Sequence, residues 1–129
     1  MGIAYKIDVD ARIVRLSYVG ETTTDEFVAT MTAILQSPQY QRGFGFLSDR
    51  RGADAATTPY VQGALAFARA QREHLAGVRW ATVASGPVNF GLGRMAQALV
   101  EVAGFPVAFQ VFRDLEAAEA WLRKSDPGK

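Results

Sequence analysis

The stretch Phe44–Ala66, FGFLSDRRGADAATTPYVQGALA, decides how the chain is read. Its apolar start, Phe44-Gly45-Phe46-Leu47, has the length and composition of a short buried strand. A polar loop is expected next, over Ser48-Asp49-Arg50-Arg51-Gly52-Ala53-Asp54, and Thr58-Pro59 then opens an alanine-rich helix. Thr58 has the residue type of an N-cap, and Pro59 suits the first helical position because its missing N–H is not needed there. A strand that runs into charge and then meets a helix N-terminus is where open α/β sheets carry their working groups.

Upstream, Tyr5-Lys6-Ile7-Asp8-Val9 alternates apolar and polar residues, Asp10-Ala11 reads as a turn, and Arg12–Val19 supplies a second strand. The chain is therefore expected to begin with a hairpin that Gly20 ends. Thr24 is the expected cap of a first helix, with Asp25 and Glu26 suiting its dipole. Phe27, Met31, Ile34 and Leu35 give that helix one apolar stripe, and Ser37-Pro38 stops it.

Downstream, one helix is expected over Pro59–Leu75, with a wide stripe that includes Tyr60, Val61, Ala64, Leu65, Phe67 and Ala68. Gly77 closes it. Arg79–Ala84 reads as a fourth strand and Ser85–Phe90 as a loop. Leu92, Met95, Leu99 and Val102 mark a third helix, which Gly104 ends, and Pro106–Phe112 is the fifth strand. Asp114 caps a last helix carrying Leu115, Ala118, Trp121 and Leu122. Residues 1–124 are expected to form the domain, and Ser125–Lys129 a flexible tail. The order ββαβαβαβα predicts a single α/β domain. Its five-stranded sheet is mixed and mostly parallel, with right-handed crossovers.

Composition narrows the function classes. A chain of 129 residues with 49% hydrophobic content suits one core. The net charge of +1 argues against nucleic acid as a partner, because only Arg50 and Arg51 are neighbouring arginines. Cysteine is absent, so no disulfide framework, thiolate nucleophile or cysteine-based metal site exists. No apolar run approaches the ~18 residues of a membrane span and no basic-then-apolar leader opens the sequence, so a cytoplasmic location is expected.

The order of elements, with a hairpin first and the ending Phe112-Arg113-Asp114-Leu115-Glu116-Ala117-Ala118-Glu119-Ala120-Trp121-Leu122, resembles the STAS domain superfamily. It is most similar to the SpoIIAA-like branch of small bacterial proteins. Anti-sigma-factor antagonists of that superfamily carry a phosphorylatable serine where the helix after the third strand begins. The matching region here is Ala56-Thr57-Thr58-Pro59, where Thr58 is the better positional match; the preceding acid and the following glycine of that motif are missing. The resemblance thus implies fold and site location more than mechanism. Some SpoIIAA-like proteins are also likened to lipid-transfer CRAL-TRIO domains, which implies a ligand-binding reading.

Candidate site residues follow from the same placement. Asp49, Arg50, Arg51 and Asp54 can form a rim, and two guanidiniums near a helix N-terminus suit a carboxylate or phosphate. Thr57 and Thr58 offer hydroxyls there, and a phosphate on Thr58 would meet free backbone N–H groups, although capping alone explains a threonine at that position. Ser85, Asn89 and Phe90, in the loop after the fourth strand, would share the same sheet edge.

Gly91-Leu92-Gly93-Arg94-Met95-Ala96 spells G-x-G-x-x-A, but six residues separate it from the preceding strand, where a dinucleotide fingerprint needs a tight turn. His74 is the only histidine, and neither a zinc set nor a G-x-S-x-G elbow accompanies it. No catalytic residue, metal or cofactor is expected. An enzyme would have to use Asp49, Asp54 or Glu101. The leading expectation is a non-enzymatic STAS-like domain that binds a partner protein through Asp49–Thr58. The alternative is a carrier of a lipid or of another small apolar or anionic ligand, with a pocket between the sheet and the second and third helices. A homodimer through the hairpin edge is also expected, since an open edge invites pairing.

Overall fold

The computed structural model describes residues 2–105 and 107–124; Pro106 and the expected tail Ser125–Lys129 lie outside them. The alternating start of the chain forms the hairpin, β1 (Gly2–Asp8) with β2 (Ile13–Gly20), paired antiparallel from Gly2 opposite Val19 to Asp8 opposite Ile13. There follow α1 (Thr24–Gln36), β3 (Gly45–Ala53), α2 (Thr58–Ala70), the single turn α3 (Arg72–Leu75), β4 (Arg79–Val83), α4 (Pro87–Ala103), β5 (Ala108–Phe112) and α5 (Leu115–Arg123). The sheet order is β1-β2-β3-β4-β5, with every pairing after the hairpin parallel. This is the expected mixed five-stranded α/β architecture.

Side-chain alternation gives the sheet two faces. Val14, Leu16, Phe46 and Trp80 point to the side covered by α1, α2 and α4, where Phe27, Met31 and Ile34 of α1 are buried. Ile13, Leu47, Ala81 and Val83 point to the other side, where Ala118 of α5 seals them. Among the described residues the closest ring pair lies on the first face: Phe46 stacks on Trp80 with centroids 4.5 Å apart. Phe27 meets Tyr60 and Phe67 edge-on, which ties α1 to α2.

The N-termini of α1 and α2 differ from the expected caps by one residue. Thr57, not Thr58, caps α2: its hydroxyl accepts from the Tyr60 amide at 3.2 Å, and Thr58 is already helical. Pro59 carries no N–H, so the amide in need of a partner is that of Tyr60, three residues beyond Thr57. In the same way Thr23 rather than Thr24 caps α1, accepting from the Glu26 amide at 3.1 Å. Asp114 caps α5 as expected. The long helix expected over Pro59–Leu75 is broken at Gln71, whose ψ of 20° leaves the α region and starts α3.

The fourth helix departs most. It starts at Pro87, so Asn89 and Phe90 lie in its first turn and not in a loop, and Gly91 and Gly93 lie inside it. The G-x-G-x-x-A segment therefore makes no phosphate-cradling turn. Gly93 has a packing reason instead: a Cβ there would lie 2.6 Å from Val111 Cγ2, so the helix can rest on β5 only without one. The face turned inward is Leu92, Ala96 and Val100, not the expected Leu92, Met95, Leu99 and Val102. Met95 and Val102 are 62% and 87% exposed, with Val88 and Leu99 beside them on the outer side.

Both sheet edges are touched by helix side chains. The Ile3 amide on β1 donates to Glu26 Oε2 at 3.0 Å, and the Val111 amide on β5 donates to Gln97 Oε1 at 3.2 Å. The hairpin edge is thus partly occupied by α1.

Candidate functional site

Arg50 and Arg51 are neighbours in sequence but not in space. Residues 48–53 are strand and not the expected loop, because β3 continues through Ala53. Its register against β2 shifts there: Ser17 faces Asp49 while Val19 faces Gly52, so β3 carries one extra residue opposite Tyr18. Such a bulge re-aims side chains. Arg50 turns to the face covered by α1, α2 and α4, its guanidinium 4.6 Å from the Tyr18 ring centroid and 5.3 Å from that of Tyr60. Arg51 turns the other way and grips Asp49 in a two-pronged pair, Nε to Oδ1 at 2.9 Å and Nη2 to Oδ2 at 2.7 Å. The Arg51 hydrogen bonds hold the Asp49 carboxyl below its ordinary value, against the opposing effect of partial burial.

On the Arg50 face, α2 leans on α1 and α4 leans on β5, and the two helices make no extensive contact with each other. Between them the sheet floor is open. The cleft has a volume of about 170 Å³. Its walls come from α2 (Tyr60, Ala64), from α4 (Leu92, Ala96) and from the floor residues Trp80 and Phe109, which face each other across β4 and β5. Polar groups gather toward the C-terminal ends of β3 and β4: Ser48, Arg50, Thr82 and, from α4, Asn89.

Ser48 organises this end. Its hydroxyl accepts from Trp80 Nε1 at 2.9 Å and lies 3.2 Å from Tyr18 Oη, so a serine 2% exposed is satisfied on both sides. Burial pushes the Tyr18 phenol well above its ordinary value, helped by Tyr60 and opposed by the Ser48 bond and the Arg50 charge. Burial also raises Tyr60, and there the Arg50 guanidinium is the largest opposing influence.

The other expected site residues separate. Arg50 and Asn89 line the cleft, whereas Asp49 and Arg51 border a shallow surface hollow on the opposite side with Ser17 and Val19. Asp54 is exposed; its carbonyl receives Arg50 Nη2 at 3.3 Å. Thr57 is used as a cap and Thr58 is exposed on the first turn of α2. The Ser85 hydroxyl donates to the Arg51 carbonyl at 3.4 Å. Phe90 carries the Arg113 guanidinium 4.0 Å above its ring and is not part of the cleft wall.

Tyr18, Ser48, Trp80 and Thr82 were not expected as site residues. Two signals for them exist: Gly52 inside a strand pattern marks a bulge, and Ser48 and Thr82 occupy inward strand positions where apolar residues belong. Among the described residues no three of His, Cys, Asp and Glu come together as a metal site, and no helix is long and apolar enough to cross a membrane.

No protein-family model and no curated protein matches the chain. Among solved structures it is similar to an uncharacterized protein from the DUF3478 family with a SpoIIAA-like fold from Shewanella loihica PV-4. The TM-score is 0.66 at 21% identity, over 94% of both chains. The chain thus has a SpoIIAA-like α/β fold, as the sequence resemblance implied.

Proposed function

We propose that this chain is a small-molecule-binding domain that holds the apolar body of a ligand in the cleft between α2 and α4. The reading is carried by one observation: an opening of about 170 Å³, walled by apolar and aromatic side chains, with a few polar groups at one end. Ligand sites are commonly concave, mostly apolar and supplied with a small number of convergent polar groups. Trp80 on the floor makes occupancy visible as a change in fluorescence, with Trp121 on the far face replaced by Phe to remove its signal.

The chain purified under native conditions is expected to show, in native mass spectrometry, an adduct that leaves on denaturation. Ala96→Phe, which fills the cleft, should abolish it. A bare chain mass, combined with no Trp80 response to naphthalene-sized apolar probes, would sink the reading.

Docking of a partner protein is the second reading. The observation that favours it is the outward stripe Val88, Met95, Leu99 and Val102 on α4, an unusual amount of apolar surface for one side of an exposed helix.

A further inference from the structure

The cleft is charged at one end only. Arg50 is partly buried there and lies against two tyrosine rings. Its Nη2 reaches the Asp54 carbonyl at 3.3 Å and the Tyr60 hydroxyl is its other polar neighbour, and no carboxylate is within ion-pair distance of it among the described residues. Its sequence neighbour shows the contrast, since Arg51 has both prongs on Asp49. A guanidinium presents five N–H donors in a planar fork. With the Asp54 carbonyl and the Tyr60 hydroxyl as its polar neighbours, the fork still has donors without an anionic partner. A cation drawn out of water without a counter-ion is costly, and a carboxylate that meets it with two parallel hydrogen bonds removes that cost.

Size and wall chemistry restrict the rest of the ligand. A cavity of roughly 150 Å³ lined by apolar side chains takes up benzene. The present volume of about 170 Å³ is therefore enough for one ring or two fused rings. The walls that such a ring would meet are Phe27, Tyr60, Trp80 and Phe109, which favour offset or edge-on aromatic contact. Ser48 is already engaged by Trp80 and Tyr18, so it is not the anchor for the head group.

We infer that the ligand class of the cleft is a compact aromatic monoanion, its carboxylate paired with Arg50 and its ring body lying over Trp80 between α2 and α4. This assignment rests on the ligand-binding reading above and gives it a chemistry.

Isothermal titration of the intact chain with 1-naphthoate and with its neutral counterpart 1-naphthalenemethanol tests it. The two probes share a ring body, and water retains the anion more strongly, so a preference for the anion must come from the site. Wild type is expected to bind 1-naphthoate at least about tenfold more tightly, a preference of about 1.4 kcal/mol, and added salt should shrink that ratio. Arg50→Met should bring it to about one, and Arg50→Lys should keep part of it, because the charge remains while the fork is lost. Equal affinities in wild type, or a preference that survives Arg50→Met, would overturn the inference and leave the cleft reading standing. Binding of neither probe would overturn both. The wild-type ratio and its salt dependence decide the matter even if Arg50→Met does not fold.

Discussion

On one face of the sheet a single helix of nine residues, α5, fills the space above β3 and β4; on the other, three helices leave a cleft. Side-chain size explains the difference. The filled face is floored by Ala81 and Val83, and Ala118 of α5 comes down on them with 0% exposure. Small residues at the centre of this contact let the helix sit close, while Leu47, Phe112, Trp121 and Leu122 fill the space around it. The opposite face presents Tyr18, Phe46, Trp80 and Phe109, and α2 adds Tyr60 and Phe67. Rings of that size hold two helices at a distance that neither can close while α4 is docked on β5 through Gly93. A pocket therefore arises from the placement of bulk rather than from a lack of apolar residues.

The same substitution made on both faces is the strongest way to break this comparison. Ala118→Leu should destabilise by about 1–3 kcal/mol, because three added carbons enter a filled layer. Ala96→Leu enters open space and should stabilise by about 0.5–2 kcal/mol, as cavity filling commonly does. Urea midpoints at unchanged m-value give both numbers; equal losses would mean that the cleft is not usable space.

Titration separates the faces next. Tyr18 and Tyr60 on the cleft side have folded-state values above the ordinary 10.0, with burial as the first cause. A raised value means that their contribution is complete below pH 10.0 and is lost as pH climbs beyond it. Stability measured by urea unfolding should fall above that point by up to about 1.4 kcal/mol per pH unit for each phenol, and Tyr18→Phe should flatten the decline. A decline unchanged in Tyr18→Phe would show that the phenol is not the alkaline liability.

A smaller effect sharpens the account of the α2 entrance. Thr57→Ala should cost about 1 kcal/mol through the lost cap, while Thr58→Ala should change stability little. The reverse result would restore Thr58 as the capping residue.

The smallest effect belongs to the far face. Asp49 has a lowered carboxyl value, so its pairing with Arg51 contributes above its ordinary 3.8 and is lost as pH falls through the lower folded-state value. Asp49→Asn should cost under about 1 kcal/mol at neutral pH, a partly exposed pair being weak, and nothing in strong acid. A penalty that persists in acid would mean that the pair acts through shape and not charge.

Much of this architecture was legible in the residues. The hairpin, the order of elements and the Asp114 cap follow from local rules: alternation, stripes and a short side chain three residues before a free amide. The parts that were not legible are those where two local signals compete. Helix α4 carries apolar residues on two sides, so Leu92 could be grouped with Met95 and Leu99 or with Ala96 and Val100, and only contact with β5 selects the second set. Arg50 and Arg51 read as one basic unit until the bulge sends them to opposite faces. The location of the candidate site at the end of β3 was visible in sequence; its floor was not, because Trp80 and Phe109 become a surface only through pairing of β4 with β5.

The two helix side chains that reach the sheet margins bear on how the domain behaves in a crowd. An outer strand with free amides is a template onto which another chain can add, and unchecked addition leads to aggregates. Glu26 on the β1 margin and Gln97 on the β5 margin each hold one such amide. Glu26 also lies where any side chain at residue 2 would collide with it, so Gly2 is the residue that lets the stopper seat. The helices that shape the interior therefore also occupy one amide on each outer strand, a partial block to further strand addition.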